Sequence, residues 1–218
     1  LRLAPKVQGV SFKAKKGQII GIGGLQGQGQ EELLRVVYGY LKPDSGEIII
    51  DGEPVRFRSA ADAVRQGLGF IPGDREREGI FHVRPIIDNI YMAEFAKHTI
   101  AAPVNPGSIT TGAQEMVEKL SIKIGSASDP ANSLSGGNQQ KLVVGRWLKV
   151  RPRVLLLDDP TKGVDVTSRL EIHTLLRRMA QDGTAIIISS SENEELLDLA
   201  DTRSEERRVG KECATGCR

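Results

Sequence analysis

Residues 23–34 read GGLQGQGQEELL and lie between an apolar run, residues 17–23, and a helical pattern, residues 31–37. A strand, a glycine-rich loop and a helix in this order are typical of a loop that binds phosphate through its backbone N–H groups. Two side chains depart from that motif. Gln30 occupies the position of its Lys, and Glu31 occupies the position of its Ser or Thr. The stretch therefore predicts a phosphate-binding backbone without the usual phosphate-binding cation.

The length and charge of the chain limit what it can be. It has 218 residues and a formal net charge of +2, which fits one domain with a sizeable core. The charge balance gives no reason to expect nucleic acid or an anionic membrane as a partner. No apolar run approaches the roughly 20 residues of a membrane span. The two cysteines, Cys213 and Cys217, lie in the last six residues, so a disulfide framework is excluded.

Apolar runs alternate with amphipathic stretches along the chain. We expect an edge strand over about 7–13 and further strands at 18–23, 47–50, 68–73, 153–160 and 184–191. We expect helices at 31–39, 59–67, 85–98, 110–123, 136–151, 167–183 and 192–201. The charged stretch 74–79 is expected to be a loop. Strands that alternate with helices predict a parallel sheet wrapped by helices.

Two acids end one of these strands. In VLLLDDP, residues 154–160, the apolar run stops at Asp158 and Asp159. The carboxyl end of a central parallel strand lies beside the loop that follows its neighbour. Asp158 is therefore placed to hold Mg²⁺ near a phosphate, and Asp159 to polarise an attacking water. Two solvated acids at a turn are the alternative, which the upstream glycine loop disfavours.

A second glycine-containing stretch opens a helix. In SLSGGNQQK, residues 133–141, a Ser precedes Gly-Gly at the helix start. Its hydroxyl and the free backbone N–H groups can bind an anion. An ordinary capped helix is the alternative.

Together these motifs resemble a known family. LSGGNQQK resembles the signature motif of ATP-binding cassette (ABC) proteins, and LLLDDP followed by TKGVDV resembles their Walker B strand and D-loop. The resemblance covers residues 1–202. It implies an α/β P-loop NTPase cassette: a mostly parallel sheet flanked by helices, an N-terminal antiparallel β part, and a helical subdomain at about 85–148 that carries the signature. The strings GxxGxGQxELL, FIPGDREREG and LSGGNQQK are most similar to the second, C-terminal cassette of bacterial simple-sugar importers of the ribose, galactose and xylose type.

The resemblance implies that the chain binds ATP and Mg²⁺. It assigns cofactor-binding positions to Gly24, Gly27, Gly29, Gln30, Glu31, Leu134, Ser135, Gly136, Gly137 and Asn138. It assigns catalytic positions to Asp159, where the family has Glu, and to Ser191, where the family has a switch His. It assigns metal positions to Asp158, Glu31 and Gly73, the last of which replaces a Gln and so lacks the ligand side chain.

The departures share a direction. The resemblance implies that each altered position acts on the cassette's own nucleotide, whereas the residues that match the signature, Ser135–Gly137, are intact. Cassettes of the family pair head to tail, so the signature of one faces the nucleotide of the other. The resemblance thus implies a cassette that donates its signature to a stronger partner while its own half-site is weak. The alternative is that Gln30 and Glu31 are tolerated and this half-site works normally.

The resemblance also implies partners and a location. These are a second cassette in the N-terminal half of the same chain, a transmembrane permease that docks at residues 73–89 and, indirectly, a periplasmic binding protein. The expected location is peripheral, on the cytoplasmic face of the inner membrane. A non-catalytic regulatory cassette and an importer of nucleosides or other small solutes stay open as alternatives. A soluble cassette ATPase of translation or DNA repair is disfavoured because no heptads separate the glycine loop from the signature.

The remaining predictions concern single residues and the tail. His82, His98 and His173 show no ligand spacing and are expected at the surface or in loops, whereas Trp147 is expected to pack in the core. From Arg203 the sequence has no helical or strand period. Its first eleven residues, RSEERRVGKEC, match the translation of a common sequencing adapter. We therefore expect residues 203–218 to be a non-native tail, with a natural disordered basic tail as the alternative.

Overall fold

The computed structural model describes residues 1–25, 27–97 and 106–205. Within these ranges the strands are β1 Ile19–Gly23, β2 Ile48–Ile50, β3 Glu53–Val55, β4 Leu68–Ile71, β5 Val154–Asp158, β6 Ala185–Ser189 and β7 Thr202–Glu205. The α-helices are α1 Gln30–Tyr38, α2 Ala60–Arg65, α3 Ile86–Lys97, α4 Pro106–Lys119, α5 Gly136–Val150, α6 Val166–Gln181 and α7 Asn193–Leu199.

A parallel sheet forms the centre of the molecule. Its strand order is β4-β5-β6-β1-β7, and each neighbouring pair is parallel. The strands consist of continuous apolar runs because helices cover both faces of such a sheet. Leu155, Leu156 and Ile188 are fully buried in it. Strands β2 and β3 form a separate antiparallel hairpin, with Asp51 and Gly52 in its left-handed turn.

Helix α5, which carries the signature residues, packs against both α3 and α6. Trp147 is buried on it, which confirms the packing role expected from the sequence. Arg146 is buried as well, and it donates to the main-chain oxygens of Asn89 and Gly79. Burial lowers the pKa of this guanidinium to about 10. Arg146 therefore connects α5 with α3 and with the segment that precedes α3.

Several expectations about local structure were wrong. Residues 7–13 form no strand, because Gly9 has a φ of 71° and the segment pairs only through an isolated bridge between Leu3 and Val7. The charged stretch 74–79 contains a π-helical turn at Arg75–Gly79, which the Asp74 side chain caps through the Arg77 amide.

His173 is not at the surface but 2% exposed on α6. Helices that flank a sheet have one buried face, and His173 lies among the buried residues of α6. His82 does lie in a loop, where its ring is hydrogen-bonded to the Glu76 main-chain oxygen. His98 lies outside the described residues.

No strand was expected after residue 201, yet β7 pairs with the open edge of β1 through main-chain groups. Such pairing depends on backbone geometry rather than on an apolar period. From residue 206 onward the proposed tail, including Cys213 and Cys217, lies outside the described residues.

In the described part of the chain, no helix combines the length and the apolar character needed to cross a bilayer.

Candidate nucleotide site

A pocket of about 280 Å³ opens at the carboxyl end of the sheet. This is where β1, β4, β5 and β6 end, and it is the usual ligand position in an open parallel α/β sheet. The lining residues are Gly24, Gly27, Gln30, Glu31, Arg35, Gly73, Asp74, Glu78, Asp158, Asp159, Lys162, Ser189, Ser190 and Ser191. The fold therefore brings together predicted site residues that are far apart in the sequence.

The glycine loop is bonded to its own side chains. Gln30 is 6% exposed, and its Nε2 lies 3.4 Å from the Leu25 main-chain oxygen. The same amide group lies directly over Gly24, at a position that any β-carbon on residue 24 would contact. The side chain of Gln28 accepts a hydrogen bond of 3.2 Å from the Leu25 amide. One N–H group of the loop is thus already bonded, and Gln30 folds into the loop.

Glu31 is paired with a cation. Its carboxylate accepts from Arg35 Nε at 2.8 Å, and the other side of the guanidinium binds Glu78 at 2.7 and 3.0 Å. The hydrogen bonds to Glu78 and then Glu31 raise the pKa of Arg35 above its usual range, against the effect of burial. This network joins α1 to the π-helical turn. It also reduces the repulsion that Glu31 alone would exert on a bound phosphate.

The environment of Asp158 disfavours the charged form of its carboxyl group. Burial, together with the nearby charges of Asp159 and Glu31, raises its pKa to about 6. The Gly73 amide donates to it, which acts in the opposite direction. A β-carbon at residue 73 would lie 2.8 Å from Asp158 Oδ2, which is closer than real β-carbons approach. The close approach accounts for glycine at this position and leaves no room for a Gln side chain unless Asp158 moves.

Asp159 and Ser191, the two predicted catalytic positions, are in direct contact. The Ser191 amide donates to Asp159 Oδ1 at 2.6 Å. Asp159 has a φ of 41°, which turns the chain sharply after β5. One carboxylate oxygen of Asp159 is therefore bound to the segment after β6.

The predicted signature residues lie outside the pocket lining. Ser135 is the N-cap of α5, and its hydroxyl accepts from the Asn138 amide at 3.5 Å. Ser135 is exposed, whereas Leu134 is buried. Gly137 is buried too, and a β-carbon at this position would collide with Ser168 on α6. Gly137 thus allows α5 and α6 to approach each other, and Ser135 with Gly136 remains at the accessible end of the helix.

Comparison with known proteins places these motifs in a family. The sequence pattern of the ABC transporter family matches residues 7–162. The chain belongs to the ABC transporter family. Its fold is likewise similar to a nucleotide-free ATP-binding cassette from an ABC transporter, with a TM-score of 0.78 and 20% identity over 92% of this chain and 81% of the other. The expected α/β cassette, with its parallel sheet, flanking helices and small antiparallel sheet, is confirmed.

Two relatives of this cassette illustrate the sequence similarity. The ribose import ATP-binding protein RbsA of Halalkalibacterium halodurans is 38% identical over 200 residues, 92% of this chain. The ribose import ATP-binding protein RbsA of Chelativorans sp. is 39% identical over 201 residues, also 92% of this chain. The cassette spans 40% of the length of each relative.

Hard oxygen ligands in the cassette pocket suit Mg²⁺. Asp158 and Glu31 are close enough to interact electrostatically, and a divalent cation between them would relieve the repulsion that raises the Asp158 pKa. Among the described residues no group of three or more His, Cys, Asp or Glu side chains could hold a metal ion by itself. Mg²⁺ usually takes one or two carboxylates from a protein and completes its shell with phosphate and water, and Asp158 and Glu31 can supply two carboxylates. The residues present therefore fit the ion when it arrives with a nucleotide.

Two cations and two acids of the cassette pocket were not predicted from the sequence: Arg35, Lys162, Asp74 and Glu78. A signal for Arg35 was present, because it lies four residues after Glu31, the spacing of an ion pair on one helix face. Lys162 follows Asp159 by three residues, in the turn before α6. No feature of the sequence indicated that Lys162 would line the pocket. Gly29, which was expected to bind cofactor, lies outside the lining and caps the start of α1.

Proposed function

We propose that this chain is the second ATP-binding cassette of a bacterial importer for simple sugars, with residues 1–202 as the nucleotide-binding domain and about 85–148 as its helical subdomain. In this proposal its signature serves the nucleotide of a partner cassette, and its own half-site is weak. The observation that carries the proposal is the position of Gln30. This side chain lies buried over Gly24, and it carries no charge toward the pocket.

The charge balance of the pocket supports a weak half-site. Five carboxylates and two cations line the pocket, so a nucleoside triphosphate would meet a net negative surface. Arg35 is committed to Glu31 and Glu78. At an effective dielectric constant of about 20, one uncompensated like-charge contact at 5 Å costs about 3 kcal/mol. Loss of the loop Lys and the excess of carboxylates therefore both oppose tight binding.

We assign roles within this half-site as follows. Asp158 and Glu31 would hold Mg²⁺, which supplies positive charge to the phosphates when it is bound. Gly27 and its neighbours contribute the remaining backbone N–H groups of the loop. Asp159 orients water, and the Ser191 amide limits its movement by holding Oδ1.

The signature end of α5 is assigned to the partner's nucleotide. Ser135 presents a hydroxyl, and Gly136 presents its backbone amide, at the positive end of a 15-residue helix. These groups lie outside the chain's own pocket lining. A head-to-tail pair of cassettes would bring them to the other nucleotide. The partners in this proposal are that second cassette, a permease and, indirectly, a periplasmic binding protein, at the cytoplasmic face of the membrane.

The sugar assignment rests on the relatives, which are named as ribose import proteins. A docking position for the permease is supported by Phe81 and Val83, which are 51% and 83% exposed after the π-helical turn. Two apolar side chains exposed in one short loop are typical of an interaction surface.

Reconstituted transport tests the proposed function. The complete protein that carries this cassette, together with its cognate permease and binding protein, is placed in proteoliposomes. ATP-dependent uptake of labelled ribose, galactose or xylose is the expected result. Uptake of a nucleoside, with no sugar uptake, would contradict the sugar assignment and support the alternative importer class.

A further inference from the structure

The loop between β5 and α6, residues 159–165, is held on two sides at consecutive residues; we call it the pocket loop. From α5, Gln140 Nε2 donates to the Pro160 main-chain oxygen. From the other side, Thr161 Oγ1 donates to Glu195 Oε1 on α7 at 2.8 Å. Gln140, Thr161 and Glu195 are 3%, 1% and 3% exposed. Water therefore cannot replace either contact.

The acceptor Glu195 is charged and fully engaged. Its Oε1 also lies 3.1 Å from His173 Nε2, and the Ser190 side chain is a further partner. Burial raises the pKa of this carboxyl, but the hydrogen bonds from His173, Ser190 and Thr161 outweigh it and lower the pKa below the usual value. An ionised acceptor makes stronger hydrogen bonds than a neutral one. The hydrogen bond from Thr161 to Glu195 is thus charge-assisted and shielded from water.

The contact on the other side continues toward the π-helical turn. Gln140 Oε1 accepts from Arg75 Nη1 at 3.3 Å. A single amide therefore joins the turn after β4, the signature helix and the pocket loop. Since Ser190 lies in the segment after β6 and bonds Glu195, the other contact joins the pocket loop to that segment as well.

We propose that Gln140 and Glu195 are positioning residues that hold the pocket loop between the signature helix and α7, and so keep Asp159 and Lys162 at the pocket. Neither Gln140 nor Glu195 lines the pocket, whereas Asp159 and Lys162, which flank the held residues, do. The inference adds to the proposed function a physical link between the signature and the pocket, and its effect on catalysis rests on that function.

The polar chemistry of the buried Thr161–Glu195 contact favours a role in positioning the pocket loop over a role in filling the core. A buried carboxylate costs several kcal/mol in lost hydration, and an apolar side chain of similar volume often stabilises a core as well or better. Thr161 has such a replacement, since Val has nearly the same shape without the hydroxyl. A network whose members are all satisfied fixes one arrangement of the groups it joins.

Amide hydrogen exchange on the chain itself tests the hold on the loop. The Lys162 amide donates to Asp159 O at 3.1 Å, and the Val164 amide donates to Thr161 O at 3.2 Å. Thr161→Val is expected to speed exchange of these two amides about tenfold or more, since local opening becomes easier. Thr161→Ser, which keeps the hydroxyl, is expected to exchange like the parent.

Thr174→Val is the matched control, because the Thr174 hydroxyl bonds the Leu170 main-chain oxygen on an exposed face of α6. It should leave the pocket loop unchanged. If Thr161→Val does not fold, Gln140→Met removes the other contact with a side chain of similar length and is measured in the same way. Unchanged exchange of the pocket-loop amides in a folded variant would overturn the proposal.

Steady-state ATP hydrolysis by the complete protein gives the second readout. Thr161→Val is expected to lower kcat about tenfold or more, because the loop that it loosens is tied through Gln140 to the signature helix, which serves the partner's nucleotide. The KM for ATP should change less than about twofold, because the hydroxyl touches no nucleotide. Thr161→Ser should restore kcat. A variant that raises KM with kcat intact, or a Ser variant as slow as the Val variant, would overturn a positioning role. A complete protein without ATPase activity would contradict the proposed function, while the exchange result still tests the hold.

Discussion

The Ser191 amide and the Asp159 carboxylate are joined by a hydrogen bond of 2.6 Å, between the segment after β6 and the turn after β5. The family resemblance predicted both residues as catalytic positions at which this sequence departs from the family's pattern. The hydrogen bond ties the Asp159 side chain to the main chain after β6 and fixes the position of one carboxylate oxygen.

Asp159→Ala is expected to lower the free energy of unfolding by about 1 kcal/mol, because the charge-assisted bond is lost at a partly exposed site. Asp159→Asn keeps an acceptor oxygen and should lose about half as much. Urea denaturation measures both. Asp198→Ala, on the exposed face of α7, serves as the control and should change stability by less than about 0.5 kcal/mol. Equal losses for Asp159→Ala and Asp198→Ala would show that the bond contributes nothing.

Restoring the usual loop residues should restore nucleotide affinity. The double change Gln30→Lys with Glu31→Thr is expected to tighten Mg-ATP binding about 10- to 100-fold, since a hydrogen bond to a charged group contributes about 1.5–3 kcal/mol. Fluorescence titration with a nucleotide analogue measures it. The same dipeptide, Gln114-Glu115, lies exposed on α4 outside the pocket lining and supplies a matched control with the same change of charge. Equal effects from both pairs would mean that net charge alone is responsible.

Arg35→Ala should weaken Mg-ATP binding by about three- to tenfold, because Glu31 and Glu78 would lose the cation that neutralises them. Arg35 also lowers the pKa of Asp158, so its removal should raise that pKa further. Arg65→Ala, which breaks a looser 3.8 Å ion pair with Asp62 on α2, is the control and should leave binding unchanged. Tighter binding by Arg35→Ala would show that Arg35 blocks the pocket rather than balancing its charge.

Stability should fall in acid partly through Glu195. Its pKa in the folded protein is lower than the usual 4.5, so above that value the carboxylate is ionised in both states and its stabilisation is complete. Below about pH 4.5 the unfolded chain binds a proton before the folded chain does, and stability falls with pH. Around Glu195 lie His173 on α6, Thr161 on the pocket loop and Ser190.

Glu195→Gln should therefore reduce the fall in the urea midpoint of unfolding between about pH 5 and pH 3. Glu194→Gln changes the exposed neighbour on the same helix and should follow the parent. If the two Gln variants showed the same pH dependence, the low pKa of Glu195 would not be a source of acid sensitivity.

The sequence predicted what depends on spacing along the chain. The continuous apolar runs predicted the buried strands, and the glycine loop and the acids at the end of β5 placed Gly24 and Asp158 at one pocket. These features are local, or follow from the rule that parallel strands end at a common edge. The family resemblance, not spacing, predicted Gly73 and Ser191 at this pocket.

Features set by long-range contacts could not be predicted. His173 occupies a polar position in a helical pattern, and only its contact with Glu195, 22 residues later, explains why it is buried. Strand β7 exists because β1 offers an open edge. The pairing of Glu31 with Arg35 has a helical spacing, but the bond from Arg35 to Glu78 joins residues 43 positions apart. Whether Glu31 repels phosphate depends on that network.

The proposed division of labour between pocket and signature is tested most directly by ATP hydrolysis in the complete protein that carries this cassette. The measurement compares Ser135→Arg with Gln30→Ala. Ser135 lies exposed at the start of α5, so Arg there should obstruct the donors of the signature and lower the rate about 100-fold or more. Gln30→Ala should change the rate only a few-fold, because the loop already lacks its cation. If Gln30→Ala were as damaging as Ser135→Arg, this half-site would be a working catalytic site and the proposed division would be wrong.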